Sequence, residues 1–145
     1  MLYMWEFEIF ENGKFVSAFP ADDLGEGTFG TDFDDAVESA VDWLTMTVDD
    51  ALIHGKELPK PRFDNEPVHG GRMVVIAVTR ELSDIPSVSP EEAAAELGIA
   101  EDRVLRLIDD CLLEAWSEDG RLRITRGSVD ARLEYRDYLT CEDSD

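Results

Sequence analysis

Ser89-Pro90-Glu91-Glu92-Ala93-Ala94-Ala95-Glu96-Leu97-Gly98, continued by Ile99 to Ile108 and then by Leu113 to Thr125, is the stretch that most narrows what this chain can be. Ser89 with Glu92 three residues on forms a capping box, and Pro90 occupies the first helical position, where a missing N–H costs nothing. Gly98 supplies the left-handed residue that ends this helix after about two turns. Val104, Leu105, Ile108 and Leu112 then recur at helical spacing, so a second helix starts almost at once. Two short helices joined by a few residues that include a glycine make the helix-turn-helix pattern. Asp119-Gly120, set between Leu113-Glu114-Ala115-Trp116 and Arg121-Leu122-Arg123-Ile124, is a two-residue hairpin signal and predicts a wing.

This arrangement resembles the winged helix-turn-helix of the excisionase and MerR-like DNA-binding families. The matching residues are Ala93-Ala94 and Leu97-Gly98-Ile99, then Val104-x-Arg106-Leu107-Ile108, then Gly120-Arg121-Leu122-Arg123-Ile124. The second helix opens on Glu101-Asp102 and closes on Asp109-Asp110-Cys111, where those families commonly carry basic residues. The resemblance implies DNA binding through Arg103 and Arg106 on the second helix, with Arg121, Arg123 and Arg126 gripping phosphate from the wing and just beyond it. The alternative is that these arginines form surface ion pairs with Glu101, Asp102, Asp109, Asp110 and Glu118. Ser128 to Leu139 is expected to form a final helix, with Val129, Arg132, Leu133 and Arg136 on one face that packs on the core or forms a dimer contact.

The 145 residues allow one ordinary domain or two small ones. A hydrophobic fraction of 43% supports a real core, but the formal net charge is −21. Up to Pro86 there are 18 acidic and 6 basic residues, and beyond it 16 and 7, so no basic domain is set apart for nucleic acid. Such acidity reads either as a highly solvated surface, of the kind that suits a salt-adapted host, or as a surface for a basic protein partner. Cys111 and Cys141 are too few for a disulfide framework. No apolar run approaches 18 residues, and the N-terminus lacks a signal peptide's basic start, so a cytoplasmic protein is expected.

From the N-terminus, Leu2 to Phe10 alternates Glu6 and Glu8 against Trp5, Phe7 and Ile9, which predicts a strand. Asn12-Gly13 is a hairpin signal, and Lys14 to Phe19 returns as a second strand that Pro20 stops. Thr28-Phe29-Gly30-Thr31 reads as a short third strand. Asp32 caps a helix from Phe33 to about His54, with an apolar stripe of Phe33, Val37, Ala40, Val41, Leu44, Val48, Ala51 and Leu52, ended by Gly55. Lys56 to Gly71 reads as a surface connection. Arg72 to Thr79 is an apolar run that suits a strand covered on both faces.

Ser17-Ala18-Phe19-Pro20, Gly25, Thr28, Gly30 and Asp32-Phe33-Asp34-Asp35-Ala36, with Leu58-Pro59 and Pro61 after the helix, resemble the signature of HicB-type antitoxins. Leu24 stands where a Pro is usual and Asp32 where a capping Thr is common. The resemblance implies a partial RNase H-like sheet without nuclease activity that silences a small basic mRNA-cleaving toxin, with an appended domain repressing the operon. Asp22, Asp23, Glu26, Asp34, Asp35 and Glu38 are the residues expected to meet the toxin.

The expected fold is α+β: a small antiparallel or mixed sheet with one long helix in residues 1–80, a linker at 81–88, an α-rich winged helix-turn-helix at 89–139, and a disordered tail at 140–145. The expected function is that of an antitoxin and autorepressor of a HicA/HicB-like system, acting as a homodimer or higher homo-oligomer. The alternative is a stand-alone regulator or protein-binding adaptor without a toxin. No enzymatic activity, cofactor or metal is expected. Adjacent acid pairs point about 100° apart on a helix and make poor two-metal ligand sets. Gly25-x-Gly27-x-x-Gly30 precedes a strand rather than opening a helix, so it reads as turn glycine rather than a dinucleotide loop.

Overall fold

A computed structural model describes residues 1–142 of the chain. Among the described residues it is an α+β fold with antiparallel sheets and four α-helices. Two compact units divide it, Met1–Leu82 and the chain from Ser83 onward.

The first unit is a four-stranded sheet with one helix against it. The strands are β1 (Leu2–Asn12), β2 (Phe15–Pro20), β3 (Thr28–Gly30) and β4 (Arg72–Thr79), in the order β3-β2-β1-β4, and the helix is α1 (Phe33–His54). Every pairing is antiparallel, so the mixed alternative is not realised. A helix between two strands usually makes a parallel crossover. Here residues 55–71 first pass back over the sheet, as their hydrogen bonds to Glu8 show, and β4 enters antiparallel to β1.

The β1–β2 hairpin turns one residue later than Asn12-Gly13 suggests. Asn12 pairs with Phe15, and the turn is Gly13-Lys14, with φ +69° at Gly13. Asn12 stays in the strand and its amide reaches Ser17 Oγ at 3.3 Å. A glycine at the first central position is what a type II′ turn needs.

Trp5, Phe7 and Ile9 of β1 and Ile76 and Val78 of β4 face α1, which answers with Ala36, Ala40, Leu44 and Val48. Phe7 and Trp43 meet edge to face, ring centroids 5.8 Å apart. The packed stripe of α1 is thus centred on small residues. Phe33 and Val41, expected within it, are exposed. Phe33 instead lies under the Arg72 guanidinium, 5.4 Å from its ring centre. Asp49 holds Arg80 through two bonds of 2.8 and 2.9 Å and so ties α1 to the end of β4.

Gly30 sets how closely α1 approaches. A Cβ there would lie 2.4 Å from the Ala36 backbone nitrogen, well inside contact distance. Gly27 has φ +79° and would bring a Cβ 2.4 Å from Ala18 O, while a Cβ on Gly25 would meet the Trp43 ring at 2.7 Å. None of the three opens a helix. They are close-approach and turn glycines around β3.

The second unit runs β5 (Ser87–Val88), α2 (Pro90–Leu97), α3 (Glu101–Asp109), β6 (Ala115–Glu118), β7 (Arg121–Thr125) and α4 (Arg126–Glu142). Residues 81–88, read as a linker, end in β5, which pairs with β7 and turns the expected two-stranded wing into a three-stranded sheet, β5-β7-β6. Ser89 caps α2 by accepting from Glu92 N at 3.1 Å, and Gly98, at φ +67°, ends it. Asp119 and Gly120 both have positive φ, as a type I′ turn requires. Val88, Ala93, Leu97, Val104, Leu107, Leu113, Ile124 and Val129 form the core. The final helix is longer than expected: residues 140–142, assigned from sequence to a disordered tail, belong to α4, and residues 143–145 lie outside the described residues.

Gly30→Ala is expected to lower stability by about 1–3 kcal/mol, because the helix must shift off the sheet to admit the methyl group. Thermal denaturation followed by circular dichroism checks this, and an unchanged midpoint would show that the contact yields without cost.

Candidate functional site

In the first unit the acidic residues singled out from the sequence fall into two groups. Asp22 and Asp35 are committed to the fold. Asp22 accepts from Arg62 Nε at 3.0 Å and from Asn65 Nδ2 at 3.2 Å. Its carboxyl is held below the usual range, chiefly by the Arg62 hydrogen bond. Both Asp22 and Asp23 sit in the left-handed region, at φ +56° and +55°. That conformation is uncommon for a residue with a side chain, though aspartate is enriched in it, and Arg62 and Asn65 both bond the Asp22 carboxylate. Asp35 accepts from Thr31 N at 2.7 Å, while its own N–H donates to Asp32 at 2.8 Å. Asp32 thus caps the start of α1, and Asp35 reaches back to the residue before the cap. Asp23, Glu26, Asp34 and Glu38 are exposed.

The outer face of the sheet, away from α1, was not singled out from the sequence. Alternation along β1 puts Glu6 and Glu8 there, and both are buried. Glu8 accepts from the backbone N–H groups of Val68, His69 and Gly71, each at 2.8 Å. Burial alone pushes its carboxyl up, but these three donors, together with the charge of His69, outweigh it and hold the group below its ordinary value. A buried anion on an open sheet face is therefore what fastens the connection after α1.

Beside it lies an aromatic surface. His69 stacks on Phe10 at 4.3 Å, and Phe10 meets Phe19 edge to face at 5.0 Å. Phe15 and Phe29 lie 5.0 Å apart, 48% and 59% exposed. Phe15, Phe19, Phe29, Ser17 and Glu26 line a recess of about 300 Å³. A second recess of about 300 Å³ lies between Glu8, Phe19, Asp22, Asp23 and His69. An aromatic floor with carboxylates at its rim suits a cationic side chain, which gains from ring faces and negative charge together. The available sequence signal was the alternation of Phe15, Ser17 and Phe19 against Val16 and Ala18.

In the second unit, the five candidate arginines also divide. Arg126 bonds Glu96 through both nitrogens, at 2.6 and 2.9 Å, and reaches Asp130 at 3.4 Å. The Glu96 hydrogen bond raises the Arg126 pKa, and Glu96 is lowered in turn by the same contact. Arg123 clamps β5, donating to Ser87 Oγ and Ser87 O at 3.0 Å each. Both are built into the unit rather than held ready for phosphate. Arg103 and Arg106, one turn apart on α3, and Arg121 at the wing tip are exposed. Val104 and Leu107, on the other side of α3, are buried in the core. Ala100 gives α3 no side-chain cap, and Glu101 and Asp102 fill its first turn. Those acids suit the helix dipole and repel a phosphate from that end.

Comparison with protein-family models, with curated proteins and with solved structures finds no match to the chain. Among the described residues, no helix is long and apolar enough to cross a membrane.

The Glu8 anchorage carries a pH signature. The folded-state value lies below the unfolded one, so its contribution is complete above the ordinary value of 4.5 and is lost as pH falls through the lower folded-state value. Glu8→Gln is expected to cost about 2–3 kcal/mol near neutrality, because charge-assisted acceptance from backbone donors is lost. It should also flatten the acid limb of stability. Urea denaturation across this range for both proteins checks it, and parallel curves would contradict the assignment.

Proposed function

We propose that this chain is an antitoxin of a HicA/HicB-like toxin–antitoxin system. Its first unit covers a small basic mRNA-cleaving toxin, and its second unit contacts operator DNA to repress the operon. The observation that carries the reading is that residues of the HicB-like signature are also those the fold makes obligatory. Gly25 lies against Trp43, and Gly30 meets the start of α1 where a Cβ would collide. A signature that coincides with such contacts is harder to reach by chance than one made of exposed residues.

In this proposal, the toxin-facing residues are those left exposed, Asp23, Glu26, Asp34 and Glu38, joined by the rings of Phe15, Phe19 and Phe29. Asp22 and Asp35 position their surroundings rather than touch the partner. The first unit is a small sheet-and-helix module of the partial RNase H-like kind and performs no catalysis. A cytoplasmic location follows from the intracellular target. The experiment is a ribonuclease assay with the small basic protein encoded beside this chain. Full-length protein should suppress cleavage of a messenger substrate, and Glu26→Lys with Asp34→Lys should weaken suppression by about tenfold or more through like-charge repulsion. Undiminished cleavage with the unaltered protein would overturn the reading.

The second unit is proposed to be a winged helix-turn-helix, supported by α2, the Gly98 turn, α3 and the β6–β7 hairpin in sequence. DNA contact in this proposal rests on Arg103, Arg106 and Arg121. Arg106→Ala should weaken a gel shift on the upstream region by about 1–3 kcal/mol at fixed salt, with the fold unchanged. Arg126→Ala should instead lower thermal stability, since it leaves Glu96 without its partner. Equal shifts for wild type and Arg106→Ala would remove the recognition-helix assignment. The internal use of Arg123 and Arg126 favours a second reading, a HicB-like adaptor whose helix-turn-helix binds protein. Absence of any shift would support it.

A further inference from the structure

Strand β4 is the longest open edge in the first unit, and its chemistry differs from everything around it. Arg72-Met73-Val74-Val75-Ile76-Ala77-Val78-Thr79 contains no acidic residue in a chain with net charge −21. The opposite edge, β3, has only three residues. A long strand edge is ordinarily blunted by proline, lysine, a bulge or a covering segment, because its unpaired N–H and C=O groups template further pairing. β4 is paired without a register break from Arg72 to Thr79 and holds neither proline nor lysine.

The ladder shows which backbone groups remain open. Arg80 N donates to Met1 O at 3.0 Å, and Met1 N donates back to Arg80 O at 3.3 Å, so this pair exchanges both bonds. Antiparallel ladders alternate, so Arg72, Val74, Ile76 and Val78 turn their backbone groups to β1. Met73, Val75, Ala77 and Thr79 turn theirs outward. Val75 is 53% exposed and Ala77 is exposed too, so the apolar run read from the sequence as covered on both faces is covered on one.

We propose that β4 is a homodimer interface, in which a second copy of this chain adds its own β4 antiparallel to the first and joins two four-stranded sheets into one of eight strands. A second copy is the occupant because this edge is self-complementary. With Val75 on the two-fold axis, Met73 faces Ala77 of the second copy, Val74 faces Ile76, and Arg72 faces Val78, so no like charges stand opposite one another. With a net charge of −21, two such chains repel one another, so a self-complementary edge without acidic residues is where they can meet at least electrostatic cost. An isologous pairing of this kind closes on itself as a dimer. Because the chains repel at long range, the dimer tightens as salt screens them.

Sedimentation of the full chain at micromolar concentration, at low and at physiological salt, tests this beside two variants. Val75→Pro removes an outward N–H and leaves the bonds to β1 intact, and Val75→Lys sets two ammonium groups face to face. The wild type should sediment as a dimer, more completely at higher salt, and both variants as monomers. Far-ultraviolet circular dichroism like that of the wild type shows that they remain folded. A wild-type monomer at every salt concentration, or a dimer that survives Val75→Lys, would overturn the proposal.

Discussion

The absence of a side chain at Gly30 is the constraint on which the first unit is built. It lets the start of α1 lie against β3 with a backbone nitrogen where a methyl group would otherwise be. From that point the Asp32 cap on Asp35 N, with the Asp35 carboxylate accepting from Thr31 N, fixes the direction of the helix. Ala36, Ala40, Leu44 and Val48 then come down in register on Phe7, Ile9, Ile76 and Val78. Small residues at the first two of these positions keep helix and sheet close, and Trp43 fills the flank against Phe7. A bulkier stripe would have held the helix away and left the sheet half covered.

A chain this acidic must also decide what to do with its carboxylates. Some become structural. Glu8 gathers backbone donors, Asp49 ties α1 to β4 through Arg80, Asp22 holds Arg62, and Glu96 holds Arg126. These contacts differ in worth. The Glu8 carboxylate is buried and its bonds are shielded from solvent, whereas the Asp22–Arg62 pair involves a largely exposed arginine and contributes little. Asp23 and Glu26, which line recesses with the exposed rings, and Asp34 and Glu38 on α1 are the acids left for the proposed toxin to meet. The basic residues are sorted in the same way, which is why the candidate DNA contacts shrink from five arginines to three.

Local signals were legible in the sequence because caps and turns are decided within a few residues. The capping box of Ser89 and Glu92, the helix stops at Gly55 and Gly98, and the Asp119-Gly120 turn are of this kind. What escaped depends on partners far along the chain. Glu8 is bound by residues about sixty positions away, and Arg126 by Glu96, thirty positions back. β5 is only two residues long and exists because β7 pairs with it. The hairpin turn at Gly13-Lys14 follows from the register of Phe15 against Asn12, which overrode the local preference for Asn-Gly. The charge of the candidate site residues was plain in the sequence, while their internal commitments were not visible.

Partner recognition in this account is electrostatic at its rim and aromatic at its centre, which gives it a thermodynamic signature. The most direct measurement is a calorimetric titration of the full chain with the small basic toxin that the proposed operon would encode, repeated at rising salt. A saturable complex is expected whose affinity falls as salt rises without vanishing, because the Phe15, Phe19 and Phe29 contacts are not screened. No saturable heat at any salt concentration, with both proteins folded, would contradict it.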